Sequence, residues 1–386
     1  MALVNSYRRF PVTLVRGEGV RVWDAAGREY LDLAAGIAVS SVGHCHPHVA
    51  GAIRAQAGEI LHTSNLFTNQ PGERLAEALA RHSGGYDTFL CNSGTEAVET
   101  AIKVARLRHR RAGRPGDPEI LVFDGAFHGR TLGALSATAE HRDGFEPLLE
   151  GFVRLPWNDP TAVEAAVSER TAAILFEPIQ GESGIREASV PFMRALRAAA
   201  DRVGALLIAD EIQSGMYRTG DFFAHSAAGI RADVVTMAKG LAGGLPVGAV
   251  LMGAAARDVL RPGDHGSTFG GNPVVAAAAV AVLEVVEAQG LALRAKTVGA
   301  RLRAALERQV RPGGPLRGVR GRGLMLGLEL VSDPYPAALA GIEAGVLTVT
   351  AGENVLRLLP PLILTEADAD EALARLGPAV TRAPAG

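Results

Sequence analysis

The stretch "DVVTMAKGLAGG", Asp233–Gly244, joins a largely apolar run to one lysine and then to closely spaced glycines. A short apolar run bounded by glycine reads as a buried strand. Lys239 therefore stands at a strand end. The chain holds 39 Lys+Arg but only three lysines, Lys103, Lys239 and Lys296. A sequence that nearly always chooses arginine for positive charge chooses lysine here, and the two groups differ chemically. An ε-amine can lose its proton, attack a carbonyl carbon and form an imine, which a guanidinium cannot do. Lys103 and Lys296 fall in polar helical stretches and fit ordinary surface charges. The glycines after Lys239 let a bound molecule come close to the backbone.

Working outward, five more runs resemble "DVVTMA": "DTFLC", "EILVFD", "AAILFEP", "ALLIADE" and "VGAVLMG". Helical patterns lie between several of them, notably "GTEAVETAIKVARLRHR" and "VPFMRALRAAADRVG". Strands apolar throughout, with helices between them, predict an α/β fold with a mainly parallel sheet covered on both faces. The earlier "GEGVRVWDAAGREYLDLAAG" has short β-like runs and Asp/Gly turns, which predict a hairpin-rich segment. After Pro273 come long helices, then "GLMLGLEL", "GVLTVT" and "NVLRLLPP", the pattern of a smaller α+β unit. The expected division is an N-terminal segment over 1–45 packing with the small domain, a large domain over 46–273 and a C-terminal small domain over 274–386.

Composition bounds the function. Hydrophobic residues at 48% and charged residues at 21% fit a soluble globular chain. A net charge of −2 argues against a nucleic-acid partner, and the basic "ARLRHRRAGR" reads as a helix end. Two cysteines, Cys45 and Cys91, make no disulfide framework, so the expected setting is reducing and cytoplasmic. The N-terminus lacks an apolar core of signal-peptide length. The longest apolar run, Val274–Leu283, is too short to span a bilayer, so no membrane partner is expected. "GHCHPH" gathers His44, Cys45, His46 and His48, but adjacent residues point apart and do not wrap a tetrahedral metal. No metal is expected.

Ligands of open α/β sheets collect beyond the carboxyl ends of the strands. The segments found there are "NSGTEA" after Cys91, "GAFHGRT" after Asp124, "PIQGESG" after Glu177, "DEIQSG" around Asp210 and "KGLAGG" after Ala238. "CNSGTEAVE" turns a strand into a helix whose free N–H groups favour a phosphate; taken alone, capping by Ser93 or Thr95 explains it as well. Asp210 continues a buried strand, where it either caps the next turn or holds a ring nitrogen protonated, making the ring an electron sink. Glu211 is expected to point elsewhere. No Gly-Lys-Ser/Thr phosphate loop occurs, and "GRGLMLG" misses dinucleotide spacing by one residue. A phosphate site, an aromatic, a strand-end Asp and a strand-end Lys together describe pyridoxal phosphate.

With "NSGTEAVETAIKVAR", "FHGRT", "PIQGESG", "ADEIQSG", "MAKGLAGGLPVGA", "GSTFGGNP" and "NVLRLLPPLI", the chain resembles the class III pyridoxal-phosphate aminotransferases from about Tyr7 to its last helix. The resemblance implies a fold-type I transferase with a mainly parallel seven-stranded sheet and pyridoxal 5'-phosphate as cofactor. It implies that Lys239 attaches the cofactor and moves the substrate proton. It also implies that Asp210 pairs with the ring nitrogen, Gln213 lies near the phenolic oxygen, Phe127 stacks on the ring with His128 beside it, and Gly94 and Thr95 hold the phosphate. Thr268 is expected at the phosphate of a neighbouring subunit, with Ser267 near substrate, so a homodimer with shared active sites follows.

Substrate binding is expected from Arg130, which can grip a carboxylate through two hydrogen bonds, and from Arg357, the holder of the α-carboxylate. Glu182 is expected to cover Arg357 in one half-reaction and release it in the other, because an unpaired buried cation is costly. The likeness is greatest to the branch that moves the terminal amine of N-acetylornithine to 2-oxoglutarate in arginine biosynthesis. Succinylornithine, ornithine, 4-aminobutyrate or a carrier-bound lysine are rival donors. An aminomutase and a non-catalytic binding protein are rivals of other classes. Ser183 and Tyr217 stand where the family more often has glycine, and both are expected near the cofactor or substrate edge.

Overall fold

The six apolar runs all form strands of one sheet in the computed structural model, which describes residues 3–381. They are β1 (Asp87–Cys91), β2 (Glu119–Phe123), β4 (Thr171–Phe176), β5 (Leu206–Asp210), β6 (Val234–Met237) and β7 (Gly248–Met252). The seventh strand, β3 (Phe152–Leu155), does not stand out in the sequence. It is a four-residue edge strand that pairs only with β2, and its Arg154 donates to the Phe123 and Thr138 carbonyls at 2.9 and 2.8 Å. A charged residue in a short half-buried strand erases the apolar signal.

The sheet order is β1-β7-β6-β5-β4-β2-β3. Only β7 runs against its neighbours; the remaining pairs are parallel. Alternate residues of each strand serve opposite faces. Ile120 and Val122 of β2 join one core with Ile208 of β5 and Val234 of β6. Leu121 and Phe123 join the other with Leu207 and Val235. Helix α1 (Gly94–Arg111) covers the first face through Ala97, Val98, Ala101 and Ile102. Helix α2 (Val190–Val203) covers the second through Phe192, Leu196 and Ala199.

The basic run at the end of α1 forms no open patch. Arg108 and Arg114 donate to the Gly204 carbonyl at 2.8 and 3.1 Å, closing the C-terminus of α2, and Arg111 pairs with Asp264. The Ala-rich run lies in α3 (Pro273–Ala288), buried along most of its length, and α4 (Leu291–Glu307) follows it. Among the described residues no single helix is long and apolar enough to cross a membrane.

A second, antiparallel sheet has the order β8-β9-β11-β10, from β8 (Leu316–Arg322), β9 (Met325–Leu330), β10 (Val349–Ala351) and β11 (Val355–Leu358). The N-terminal hairpin strands, Leu14–Glu18, Arg21–Asp24 and Glu29–Asp32, turn where Asp24 accepts the N–H groups of Ala26 and Arg28. The last of them pairs in parallel with Val346–Leu347.

Phe192 is wholly buried, edge-on to Phe123 at 5.2 Å and to Trp157 at 5.3 Å. Replacing it by alanine leaves a cavity that the parallel sheet cannot close. Phe192→Ala is expected to destabilise the protein by about 3–5 kcal/mol, read from urea unfolding, with Phe192→Leu costing less.

Candidate active site

Five parallel strands end on one edge and deliver their following residues to one cavity of about 460 Å³. Strand β1 leads to Ser93, Gly94 and Thr95; β2 to Phe127, His128 and Arg130; β4 to Glu177 and Glu182; β5 to Asp210 and Gln213; β6 to Lys239. The chain brings these residues together from across about 150 positions because parallel strands share one carboxyl edge.

Ser93 caps α1, its hydroxyl accepting the Glu96 N–H at 3.3 Å. The Thr95 hydroxyl is held 2.9 Å from that of Thr131 and accepts the Arg130 N–H at 3.3 Å. At Gly94 a Cβ would come 2.9 Å from the Ile212 side chain, so the helix start and the Asp210 loop pack closely here. Gly129 has φ +136, and a Cβ there would lie 2.3 Å from the Thr95 hydroxyl. The helix start and the Phe127 loop thus pack in direct contact.

Asp210 is almost fully buried and accepts from His128 Nδ1 at 2.7 Å and from the Ile212 N–H at 3.1 Å. The His128–Asp210 pair is a finding of the structure; the two residues are 82 positions apart and nothing in the sequence couples them. His128 is itself buried, and its Nε2 has no hydrogen-bond partner among the described residues. Glu211, next in sequence, turns away to His225 at 2.8 Å and the Ser214 hydroxyl at 2.6 Å.

Glu177 is a site residue that sequence reasoning passes over. Phe176 of β4 registers with Ala209 of β5, so the next residues, Glu177 and Asp210, emerge side by side. The signal for it lies in "AAILFEP" beside "ALLIADE". Glu177 accepts the Phe127 N–H at 3.0 Å. Burial raises its carboxyl well above the usual range, and the Asp210 charge adds to the shift.

Lys239 has φ +42, a left-handed conformation that a non-glycine residue adopts only when its surroundings impose it. Burial lowers its amine below the ordinary lysine value; the Glu182 charge opposes the shift and the Arg357 charge reinforces it. The other lysines have local partners. Lys296 pairs with Asp221 at 2.7 Å, and Lys103 lies 3.3 Å from His265.

Arg357, on β11, is 1% exposed. Its Nη1 donates to Glu182 Oε1 at 2.7 Å and its Nη2 to Glu182 Oε2 at 3.3 Å. The Gly181 carbonyl and Gln213 Oε1 accept from Nη1, each at 3.1 Å. Gln213 also donates to Glu182 Oε1 at 3.3 Å. The Gln213 amide therefore sits within the Arg357–Glu182 network on the cavity wall. Burial raises the Glu182 carboxyl, but the charge and hydrogen bonds of Arg357 outweigh it and bring the group down to about 2. Arg130 is exposed at the cavity, its guanidinium 5.2 Å from the Phe127 ring centre.

Ser267 and Thr268 do not line this cavity. Ser267 accepts from Asn92 Nδ2 at 3.2 Å and from the Gly270 N–H at 3.0 Å, and Thr268 is exposed beside a separate hollow with Phe89 and His265. Tyr217 is not at the cavity edge either, contrary to expectation. Two left-handed residues, Met216 and Tyr217, turn its ring away, and its hydroxyl meets His82 Nδ1 at 2.7 Å. Ser183 does lie close by, bonded to Gln180 at 3.1 Å in a hollow shared with Phe127 and Glu182. The "GHCHPH" side chains scatter: His44 to Asp32, His48 to Glu284 and His46 to Gln289.

Comparison with known proteins decides the family. Residues 3–380 match the family described as Aminotransferase class-III. The chain belongs to the class-III aminotransferases. It is 47% identical to an acetylornithine aminotransferase of Rhodobacter capsulatus, over 97% of this chain and 96% of the relative. Among solved structures, the ornithine aminotransferase of Toxoplasma gondii matches with a TM-score of 0.94 at 34% identity, covering 98% of this chain and 92% of that one. The N-acetylornithine aminotransferase of Stenotrophomonas maltophilia matches with a TM-score of 0.85 at 39% identity, covering 97% and 96%. Class-III aminotransferase chemistry exchanges an amino group between an amino donor and a keto acid.

Glu182→Gln leaves Arg357 buried opposite a neutral amide and is expected to lower the melting temperature at neutral pH. A carboxyl depressed from 4.5 to about 2 contributes stability that is complete above 4.5 and is lost as pH falls through about 2. The gap between variant and wild type is therefore expected to narrow on acidification below about 4.5, followed down to the lowest pH at which the fold persists.

Proposed function

We propose that this class-III aminotransferase uses pyridoxal 5'-phosphate to transfer the terminal amino group of N-acetylornithine to 2-oxoglutarate, as a homodimer in the cytoplasm. The observation that carries the reading is the cavity in which Lys239, the His128–Asp210 pair and the start of α1 face one another, with Glu182 in its wall and Arg357 paired to Glu182 behind it. The donor set suits the cofactor. A helix start offers N–H groups to a phosphate, Phe127 offers a ring face, and a buried carboxylate offers a partner to a ring nitrogen. When bound, the cofactor supplies a reactive carbonyl and a ring that accepts electron density from the substrate carbon.

The protein's own groups do the rest. Lys239, its amine lowered by burial, is the nucleophile toward a carbonyl and then the base that moves the proton of the amine-bearing carbon. Asp210, steadied by His128, holds positive charge at the ring nitrogen; Gly94 and Thr95 hold the phosphate; Gln213 links the cofactor edge to Arg357. Arg130 grips the donor's carboxylate at the mouth. Arg357 takes the carboxylate of the keto acid once Glu182 withdraws, and Glu182 returns when the donor occupies the site, so the buried cation keeps a partner throughout.

Thr268 and Ser267 serve the site of a second subunit. Their loop lies in an uncovered apolar patch with Phe269, Leu66 and Phe67, of which Leu66 is 89% exposed, and patches of this kind mark protein contacts. The N-acetylornithine donor rests on relatives bearing that name at 43–47% identity. Free ornithine is the second reading, motivated by the fold likeness to the Toxoplasma enzyme.

A donor screen that follows the cofactor spectrum tests the reading. N-acetylornithine is expected to exceed free ornithine and 4-aminobutyrate in kcat/KM by about tenfold or more. Lys239→Ala is expected to abolish the spectral change, and borohydride reduction to label Lys239 alone. Preference for free ornithine transfers the assignment to the second reading, and turnover without 2-oxoglutarate points to an isomerase.

A further inference from the structure

Arg218 is a 2% exposed cation on the loop that leaves the site after Asp210 and carries Gln213 into the Arg357 network. Its Nη1 donates to the Leu324 carbonyl at 3.1 Å and to the Pro360 carbonyl. Among the described residues no carboxylate lies within ion-pair distance of it, and burial alone pushes its guanidinium down to about 9. The contact is reciprocal, because the Leu324 N–H donates to the Arg218 carbonyl at 3.0 Å. It is also tight: a Cβ on Gly323 would come 2.7 Å from that same carbonyl oxygen.

The two carbonyls identify what Arg218 joins. Leu324 lies in the turn between β8 and β9, and β9 pairs with β11, where Gly327 registers with Arg357. Pro360 follows Arg357 by three residues. Arg218 itself follows Gln213 by five. One guanidinium therefore bolts the Gln213 loop of the large sheet to both strands of the pair that presents Arg357, at the end where β9 starts and β11 stops. The chain reaches it through Met216 and Tyr217, whose φ values of 53 and 62 are left-handed for non-glycine residues. Backbone strain and a buried charge without an acid are both unfavourable. An apolar side chain of similar length would avoid the second entirely.

We infer that Arg218 is a positioning residue for the carboxylate subsite, fixing the reach between the loop that bears Gln213 and the strand that bears Arg357. The inference rests on the proposed role of Arg357 as the holder of the keto acid's carboxylate. Lys239, Asp210 and Arg130, the groups assigned to the donor, come at or after the ends of large-sheet strands and so lie on one side of this seam. A loosened seam then harms one half-reaction and spares the other.

The test compares Arg218→Met, Arg218→Lys and Arg357→Ala holoenzymes in separate half-reactions, donor alone and then 2-oxoglutarate alone. Arg218→Met is expected to raise the 2-oxoglutarate requirement by about tenfold or more while the donor half-reaction stays within about twofold of wild type. Arg218→Lys keeps a charged N–H donor and is expected to recover part of the loss; it carries the test should the methionine variant not fold. Equal losses in both half-reactions mean general loosening and overturn the inference, as does no loss in either. If Arg357→Ala weakens 2-oxoglutarate and the Arg218 variants do not, the inference alone fails. If Arg357→Ala itself leaves 2-oxoglutarate unaffected, the reading of Arg357 fails and takes the inference with it.

Discussion

Charge buried at the end of an apolar sheet must be answered within the site, because water cannot answer it. The edge of the central sheet gathers Lys239, Glu177, Glu182 and Asp210 around one cavity, and Arg357 reaches Glu182 from the second sheet. Each finds a different solution. Arg357 and Glu182 form a two-point ion pair. Asp210 takes hydrogen bonds from His128 and a backbone N–H. Glu177 is driven toward its neutral form by burial and by the charge of Asp210, and Lys239 is lowered by burial. The neutral tendencies of Glu177 and Lys239 and the two satisfied anions are one solution, not four independent ones. A change at any member alters the field at the others.

The parallel sheet makes this concentration of charge possible. Strands β4, β5 and β6 are buried at every residue, so charged side chains are excluded until the strands end. All polar residues that follow them then emerge on one edge within reach of one another. The same register that pairs Phe176 with Ala209 puts Glu177 next to Asp210. The antiparallel β7 interrupts the pattern and returns its chain to the opposite edge, which is why the residues before it, Gly244 to Val247, line the cavity and those directly after Met252 do not.

Much of this arrangement is legible in the amino-acid sequence, for a physical reason. Six of the seven central strands are apolar runs, and the residue after each of the five parallel ones is at the functional edge, so Lys239, Asp210 and the Ser93–Thr95 helix start stand out by inspection. What stays hidden depends on contacts between distant segments. His128 and Asp210 meet only because β2 and β5 end together. The nearness of Tyr217 to Gln213 in sequence suggests a site residue, but two left-handed residues reverse the chain and send its ring to His82. Strand β3 is masked by Arg154, whose charge is used to bind carbonyls within the large unit.

The second sheet brings a different kind of constraint. Arg357 lies on β11, outside the central sheet, and yet its partners Glu182, Gly181 and Gln213 all follow central strands. Its reach into the cavity therefore depends on the seam between two sheets rather than on the register of one. A seam of apolar contacts alone tolerates small sliding, whereas hydrogen bonds to specific carbonyls do not, since they weaken steeply with distance and angle. The direction of the Arg218 and Arg357 donors, both toward backbone carbonyls that cannot change rotamer, gives that seam a fixed geometry. Glu182 is the element that the proposed reading sets in motion. It is the exposed member of the pair, its side chain 34% accessible against 1% for Arg357. The cation has backbone acceptors in Gly181 and Thr350 besides its side-chain partners, so under the proposed reading a competing carboxylate would displace Glu182 rather than move Arg357.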